Sequence, residues 1–218
     1  MTHPETTQQR PAATVRSRVR VPLAFADGYR VEADVHTFHG LADGAEHLAL
    51  ALGDPTASAA PLVRLHSECL TGDVFGSARC DCGPQLREAV EKIAETGGYL
   101  LYLRQEGRGI GLYNKLDAYA LQDLGYDTYA ANTALGLPED ARDYSAAAQM
   151  LTALDATTVD LLSNNPDKSG QLQALGIQVH NRIPTGVHTT PHNLTYLRAK
   201  LRGTTNLLPH DLLATRIA

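Results

Sequence analysis

Residues 64–86 read RLHSECLTGDVFGSARCDCGPQL, and the character of the chain changes inside them. Upstream, RVRVPLAF (18–25), YRVEADVHTF (29–38), HLALALG (47–53) and PLVRLHS (61–67) place short apolar runs between turn residues, the pattern of strands. From Pro84 onward the period lengthens. Leu86, Ala89, Val90 and Ile93 recur at helical spacing, and Gly97-Gly98 supplies the stop. The same stretch holds Cys69, Cys80 and Cys82, every cysteine of the 218-residue chain.

Downstream, strand and helix patterns alternate. YLLYLR (99–104) reads as a buried strand and LYNKLDAYALQDLG (112–125) as a helix, with Leu112, Leu116, Ala120 and Leu124 recurring every fourth residue. YSAAAQMLTAL (144–154) reads as a helix capped by Asp143. TVDLLS (158–163) predicts a strand, PDKSGQLQALG (166–176) a helix, IQVHNRI (177–183) a strand and NLTYLRAKLRG (193–203) a last helix. No repeat or linker interrupts the series. The expectation is a single α/β domain on a mixed sheet, strand-rich at first and alternating later. Residues 1–17 are polar and proline-bearing and lack the apolar middle of a signal peptide, so a disordered tail on a cytoplasmic protein is expected.

Composition narrows the function. Hydrophobic residues make up 43% and charged residues 20%, with no apolar run of membrane-spanning length. The net charge of −5 argues against nucleic acid as a partner while allowing a small anion held by local arginines. Three cysteines cannot all pair, so a disulfide framework is not expected. Thiolates are strong zinc ligands, and three from neighbouring loops form most of a tetrahedron. His66 could close it. Alternatively a water takes the fourth place, acidified by the metal for hydrolysis. Spacing alone does not choose between a structural and a catalytic zinc. Asp73 and Asp81 stand beside the cysteines as supporting groups, as ligands of another cation, or as plain turn residues.

Three further segments carry possible chemistry. RQEGRGIGLYNK (104–115) places Arg104, Arg108 and Lys115 around glycines, between a strand and a helix, where backbone amides can meet phosphate. Glu106 is unusual there; it or Glu68 could instead accept the N1–H and amine of a guanine. PEDARDY (138–144) offers Asp140 as a base and Arg142 as a phosphate contact, or simply acids and an arginine at a helix start. SNNPDK (163–168) offers Ser163 and Lys168 to an anion, or a capped turn. Tyr119, at helical spacing from Leu112 and Leu116, reads as core.

Taken in order, HSECLTGDVFGSARCDCGPQL (66–86), RQEGRGIGL (104–112), AYALQDLGYDT (118–128) and NNPDK (164–168) resemble the GTP cyclohydrolase II family, from about Arg64 to about Ile183. The resemblance implies a catalytic domain over 18–205, with 206–218 as a tail. It implies that Cys69, Cys80 and Cys82 hold one Zn2+ per chain. It implies GTP contacts by Arg64, Leu65, His66, Ser67, Glu68, Gln85, Glu106, Gly107, Arg108, Thr128, Ser163 (where threonine is common) and Lys168. It implies Asp140 as proton acceptor, Arg142 as nucleophile toward the α-phosphate, and Tyr119 near the purine. Products would be a diaminopyrimidinone ribosylamine phosphate, formate and pyrophosphate. Mg2+ is expected on the triphosphate, and a homodimer is expected. A paralogue stopping at the formamide, or a zinc-stabilised nucleotide-binding module without turnover, are the competing expectations. The resemblance also implies a basic residue where Asp117 stands and a charged pattern that the loop at 183–193 lacks.

Overall fold

The computed structural model describes residues 12–138, 140–193 and 197, with Thr128 described in its backbone only. One seven-stranded sheet runs through it in the order β1-β2-β3-β5-β4-β6-β7. The strands are β1 (Thr14–Ala24), β2 (Arg30–His39), β3 (Leu48–Leu52), β4 (Leu62–Ser67), β5 (Gly98–Leu103), β6 (Thr158–Leu162) and β7 (Gln178–Ile183). Pairing is antiparallel from β1 to β5 and parallel from β5 through β4 and β6 to β7. This is the mixed sheet that the sequence pattern predicts.

The helices are α1 (Leu70–Asp73), α2 (Cys82–Thr96), α3 (Leu112–Asp123), α4 (Thr128–Ala134), α5 (Ser145–Ala153) and α6 (Pro166–Ala174). On one face, Ala89, Val90 and Ile93 of α2 pack with Leu52, Leu100 and Leu162. On the other, Tyr144, Met150, Leu151 and Leu172 pack with Leu65, Leu101, Leu103 and Leu161. The fully buried Ile93 contributes about 2–3 kcal/mol by leaving water. Gly97, with φ 82°, ends α2 where a Cβ would stand 2.0 Å from the Asp54 carbonyl oxygen. Only glycine fits there.

Some expectations needed correction. β1 starts at Thr14, inside the stretch expected to be tail. It is exposed along most of its length, so ladder bonds to β2, from Thr14 opposite His39 to Ala24 opposite Arg30, hold it without an apolar alternation. The apolar stripe chosen for α3 is turned outward: Leu116 and Leu124 are exposed, while Lys115 and Ala118 are buried. α1 and α4 are too short for a period to show. Asp127 explains α4, since its carboxylate accepts the Tyr129 and Ala130 amides. The N-cap of α5 is Tyr144 rather than the expected Asp143, whose carboxylate accepts the Ser145 amide from one residue further out. The helix expected at 193–203 lies, apart from Asn193 and Leu197, outside the described residues, as do the segments 1–11 and 206–218.

Candidate active site

β4 and β5 are parallel neighbours, and both carboxyl ends open toward one cavity, the place where α/β sheets bind ligands. β4 delivers Arg64, His66 and Ser67 to its lining, and the chain then turns into α1 with Glu68 and Cys69. Two sequence-distant segments complete it: Asp140 and Arg142 before α5, and Ser163, Asn164, Asn165 and Lys168 after β6.

The three cysteine sulfurs lie within 4.8 Å of one another, with Cys69 and Cys80 3.7 Å apart. Cys69 caps α1, Cys80 precedes α2 and Cys82 opens it. Close helix approach brings them together. A Cβ on Gly72 would stand 2.6 Å from the Cys80 sulfur, and one on Gly83 2.5 Å from the Gly72 carbonyl oxygen. Three thiols gathered this tightly fit a thiophilic divalent cation. Hydrogen bonding from Cys80 and Cys82 pushes the Cys69 thiol well below its ordinary value, with Lys115 adding to the effect. His66 does not join the cluster, because its Nε2 faces the Asp73 carboxylate at 3.0 Å. Asp73 also accepts the Cys69 amide at 3.0 Å and the Tyr102 hydroxyl at 2.9 Å, so it fixes the turn that carries Cys69. Asp81 accepts from Gln85 Nε2 at 2.7 Å, and Gln85 Oε1 accepts from Arg64 at 2.9 Å.

Across the cavity, Gly107 and Arg108 both have left-handed backbone, with φ near 60°. For Arg108 this costs about 1 kcal/mol or more, a strain that residues at functional sites often carry. Its guanidinium stands 4.9 Å over the Tyr129 ring. Glu106 is engaged on both oxygens: Oε2 accepts the Leu70 amide at 2.7 Å, and Oε1 accepts the Gly107 amide at 2.9 Å and Lys115 at 2.8 Å. Glu68 accepts from Arg104 at 2.8 Å. Arg142 donates from Nε to Asp140 at 2.8 Å and from a second nitrogen to the same carboxylate. Burial raises the Asp140 pKa, but the Arg142 hydrogen bond and charge outweigh it and hold the carboxyl below its ordinary value. Lys168 donates to the Leu65 carbonyl at 2.7 Å. The Ser163 hydroxyl accepts the Asn165 amide, and Asn165 in turn caps α6.

Sequence comparison returns a consistent result. A profile of the GTP cyclohydrolase II family matches residues 17–184. The chain belongs to the GTP cyclohydrolase II family. It is accordingly an enzyme of that class. The GTP cyclohydrolase-2 of Vibrio cholerae serotype O1 is 49% identical over 84% of this chain and 93% of its own length. That of Aliivibrio salmonicida is 50% identical over 84% and 93%. The riboflavin biosynthesis protein RibBA of Bacillus velezensis is 52% identical over 80% of this chain, a match to 44% of its own length.

Within this GTP cyclohydrolase II fold, nearly all residues expected at the site line one cavity. Among those whose side chains are described, Leu65 is the exception: its side chain is fully buried in the core, and it offers the site only its carbonyl, to Lys168. Thr128 is the first residue of α4. Tyr119 is not core. It lines the cavity, with the Arg79 guanidinium 4.5 Å over its ring. Asp117 is exposed on α3 and absent from the lining, so it adds no carboxylate to the cavity. Sequence reasoning missed Tyr129, Asn132, Asn164 and Thr185, which also line it. Asn164 could have been suspected from its place in NNPDK. The 183–193 loop is tied down: Thr185 exchanges hydrogen bonds with Asn164, and Gly186 and His188 donate to Glu88 of α2.

Proposed function

We propose that this enzyme hydrolyses GTP to 2,5-diamino-6-(5-phosphoribosylamino)pyrimidin-4(3H)-one, formate and pyrophosphate, with one zinc ion on Cys69, Cys80 and Cys82. The carrying observation is that the thiol cluster shares one cavity with Arg108, Asp140, Arg142 and Lys168, so a metal and a phosphate clamp can address opposite ends of one nucleotide. Zinc held there supplies Lewis acidity that makes water nucleophilic near neutral pH, as opening the purine at C8 requires.

The protein groups divide the rest. Arg108, Lys168 and Arg142 bring positive charge to the triphosphate, with Mg2+ on the pyrophosphate end. Arg142 fits the role of charge clamp better than that of nucleophile. A guanidinium keeps its proton throughout the working range of enzymes, and Asp140, held below the ordinary carboxylate value by that same guanidinium, is far too weak a base to remove it. Water is therefore the nucleophile at the α-phosphorus, and Asp140 orients it and receives its proton once phosphate draws Arg142 away. Glu68 and Glu106 are the carboxylates for guanine, Glu106 through the one lone pair left on Oε2. Tyr119 positions the formamide for the second hydrolysis that frees formate.

The outward apolar residues Tyr113, Leu116 and Leu124 of the α3 region give the expected homodimer a surface to cover. No helix among the described residues is long and apolar enough to cross a membrane. A cytoplasmic site of action, where thiols stay reduced, fits the metal reading. The test is incubation with GTP, zinc and magnesium, with formate and pyrophosphate measured separately. Equimolar release supports the reaction. Pyrophosphate without formate, with the ring-opened formamide rather than GMP as the accompanying product, identifies a formamide-producing enzyme, and release of neither product refutes hydrolysis.

A further inference from the structure

Lys115 belongs by sequence to a phosphate-cradle motif, yet the fold directs it elsewhere. It leaves the inner face of α3, is 8% exposed, and reaches the cysteine cluster. Its Nζ donates to Cys69 Sγ at 3.1 Å, Thr71 Oγ1 at 3.0 Å and Glu106 Oε1 at 2.8 Å. An ammonium has three N–H bonds, so these contacts use them all and leave no donor for a phosphate.

We infer that Lys115 is a positioning residue of the metal centre, hydrogen-bonding the Cys69 sulfur and offsetting the charge that three thiolates accumulate around a divalent cation. The inference rests on the proposed metal reading. Three thiolates around a divalent ion leave one net negative charge in a cavity wall, and the ammonium, lying directly against one sulfur with Glu106 on its other side, screens that charge where it is densest. An N–H···S bond also draws electron density from the sulfur, so the thiolate donates less and the cation stays more electrophilic. The contact is held in a closed ring. Glu106 pairs with Lys115 through one oxygen and accepts the amide of Leu70, the residue after Cys69, through the other. Lys115 cannot swing toward a ligand without breaking that ring.

The test uses cobalt(II) and zinc alone, without nucleotide. In cobalt-loaded protein the sulfur-to-metal charge-transfer band reads thiolate donor strength directly. Lys115→Met should stay folded by circular dichroism, bind one cobalt, and shift that band to lower energy. Its zinc dissociation constant, measured against a chromogenic chelator, should rise by ~10–100-fold, the range for supporting groups at metal sites. Lys115→Arg should recover most of the band position. If Lys115→Met fails to fold, Lys115→Gln, a neutral donor, makes the same comparison and should show a smaller shift in the same direction. An unmoved band with zinc affinity within twofold of the parent overturns the inference. A parent protein that binds neither metal removes the metal reading and this inference together. Metal binding with the expected shift but no turnover of GTP leaves the inference standing and refutes the proposed reaction.

Discussion

Gly72→Ala adds one methyl group and removes no ligand atom, yet it should disable the thiol cluster. The new Cβ would stand 2.6 Å from Cys80 Sγ, 3.1 Å from Cys69 Sγ and 3.0 Å from Cys82 Cβ. Non-bonded heavy atoms settle at roughly 3.5–4.0 Å, so the Cys80 sulfur must retreat by about 1 Å. Zinc–sulfur bonds near 2.3 Å tolerate displacements of only about 0.2 Å. The shift is several times that tolerance. Zinc affinity should therefore fall by at least ~100-fold, about 2.7 kcal/mol. Overpacking should cost the metal-free fold about 1–3 kcal/mol in addition. Gly170→Ala in α6 is the matched control, because nothing lies within 4 Å of its added Cβ. It should bind zinc normally and gain about 0.4–1 kcal/mol of stability. Chelator competition gives the affinity, and thermal melting with and without zinc gives the stability. A folded Gly72→Ala protein that binds zinc as tightly as its parent would refute the packing argument.

Tyr119→Phe should keep fold, zinc and pyrophosphate release while lowering the formate-to-pyrophosphate ratio below one; an unchanged ratio would leave the hydroxyl without a role. Arg142→Ala should lower pyrophosphate release by ~100-fold or more, as loss of a charge-stabilising donor does, and retention of the parental rate would remove Arg142 from the phosphate chemistry. GTP should be turned over far faster than ATP, since a site bonding the guanine N–H groups leaves acceptors unpaired with adenine; equal rates would count against Glu68 and Glu106 as base readers. Glu88 sets an acid limit. Burial favours its neutral form, but Lys92, the Gly186 amide and His188 outweigh this and hold the carboxyl at about 2. Its folded value is depressed, so its stabilisation is complete above the unfolded value near 4.5 and is lost as pH falls toward 2. With Lys92 and His188 partly exposed, about 1–2 kcal/mol is the expected size, and Glu88→Gln should flatten the urea-stability profile across that window.

Strands and the longer helices were legible because each buries one face of a repeating pattern, as Ala89, Val90 and Ile93 do on α2. The pattern misled on α3. That helix turns Lys115, Ala118 and Tyr119 toward the cavity and leaves Leu116 and Leu124 exposed, so apolar periodicity selected the wrong face. Local rules failed for a physical reason: a site wall buries polar groups. β1 escaped notice at its start because ladder bonds, not side-chain burial, hold Thr14 to Ser17. At the site, the cysteine cluster could be suspected from spacing alone, whereas Asp140 and Arg142 gained weight only from the resemblance. Lys115 shows the limit. Its residue type was noticed, but its partners lie 46, 44 and 9 positions away, and only folding brings them together.

β4 lies between β5 and β6, strands that follow it in the chain, the second of them after almost a hundred intervening residues. The three strands β1, β2 and β3 can pair as soon as they exist, because each meets its predecessor. The cavity cannot form so early. It needs β5 inserted beside β3, β6 docked against β4, and Thr185 returned to Asn164. Such non-local pairing makes folding slow. Successive cysteines are separated by no more than ten residues, so a growing chain can gather all three long before β6 is made. Capture of a cation at that stage would tie the end of β4 to the start of α2 while the sheet is still open, and would shield three thiols during the interval when they are most exposed to oxidation.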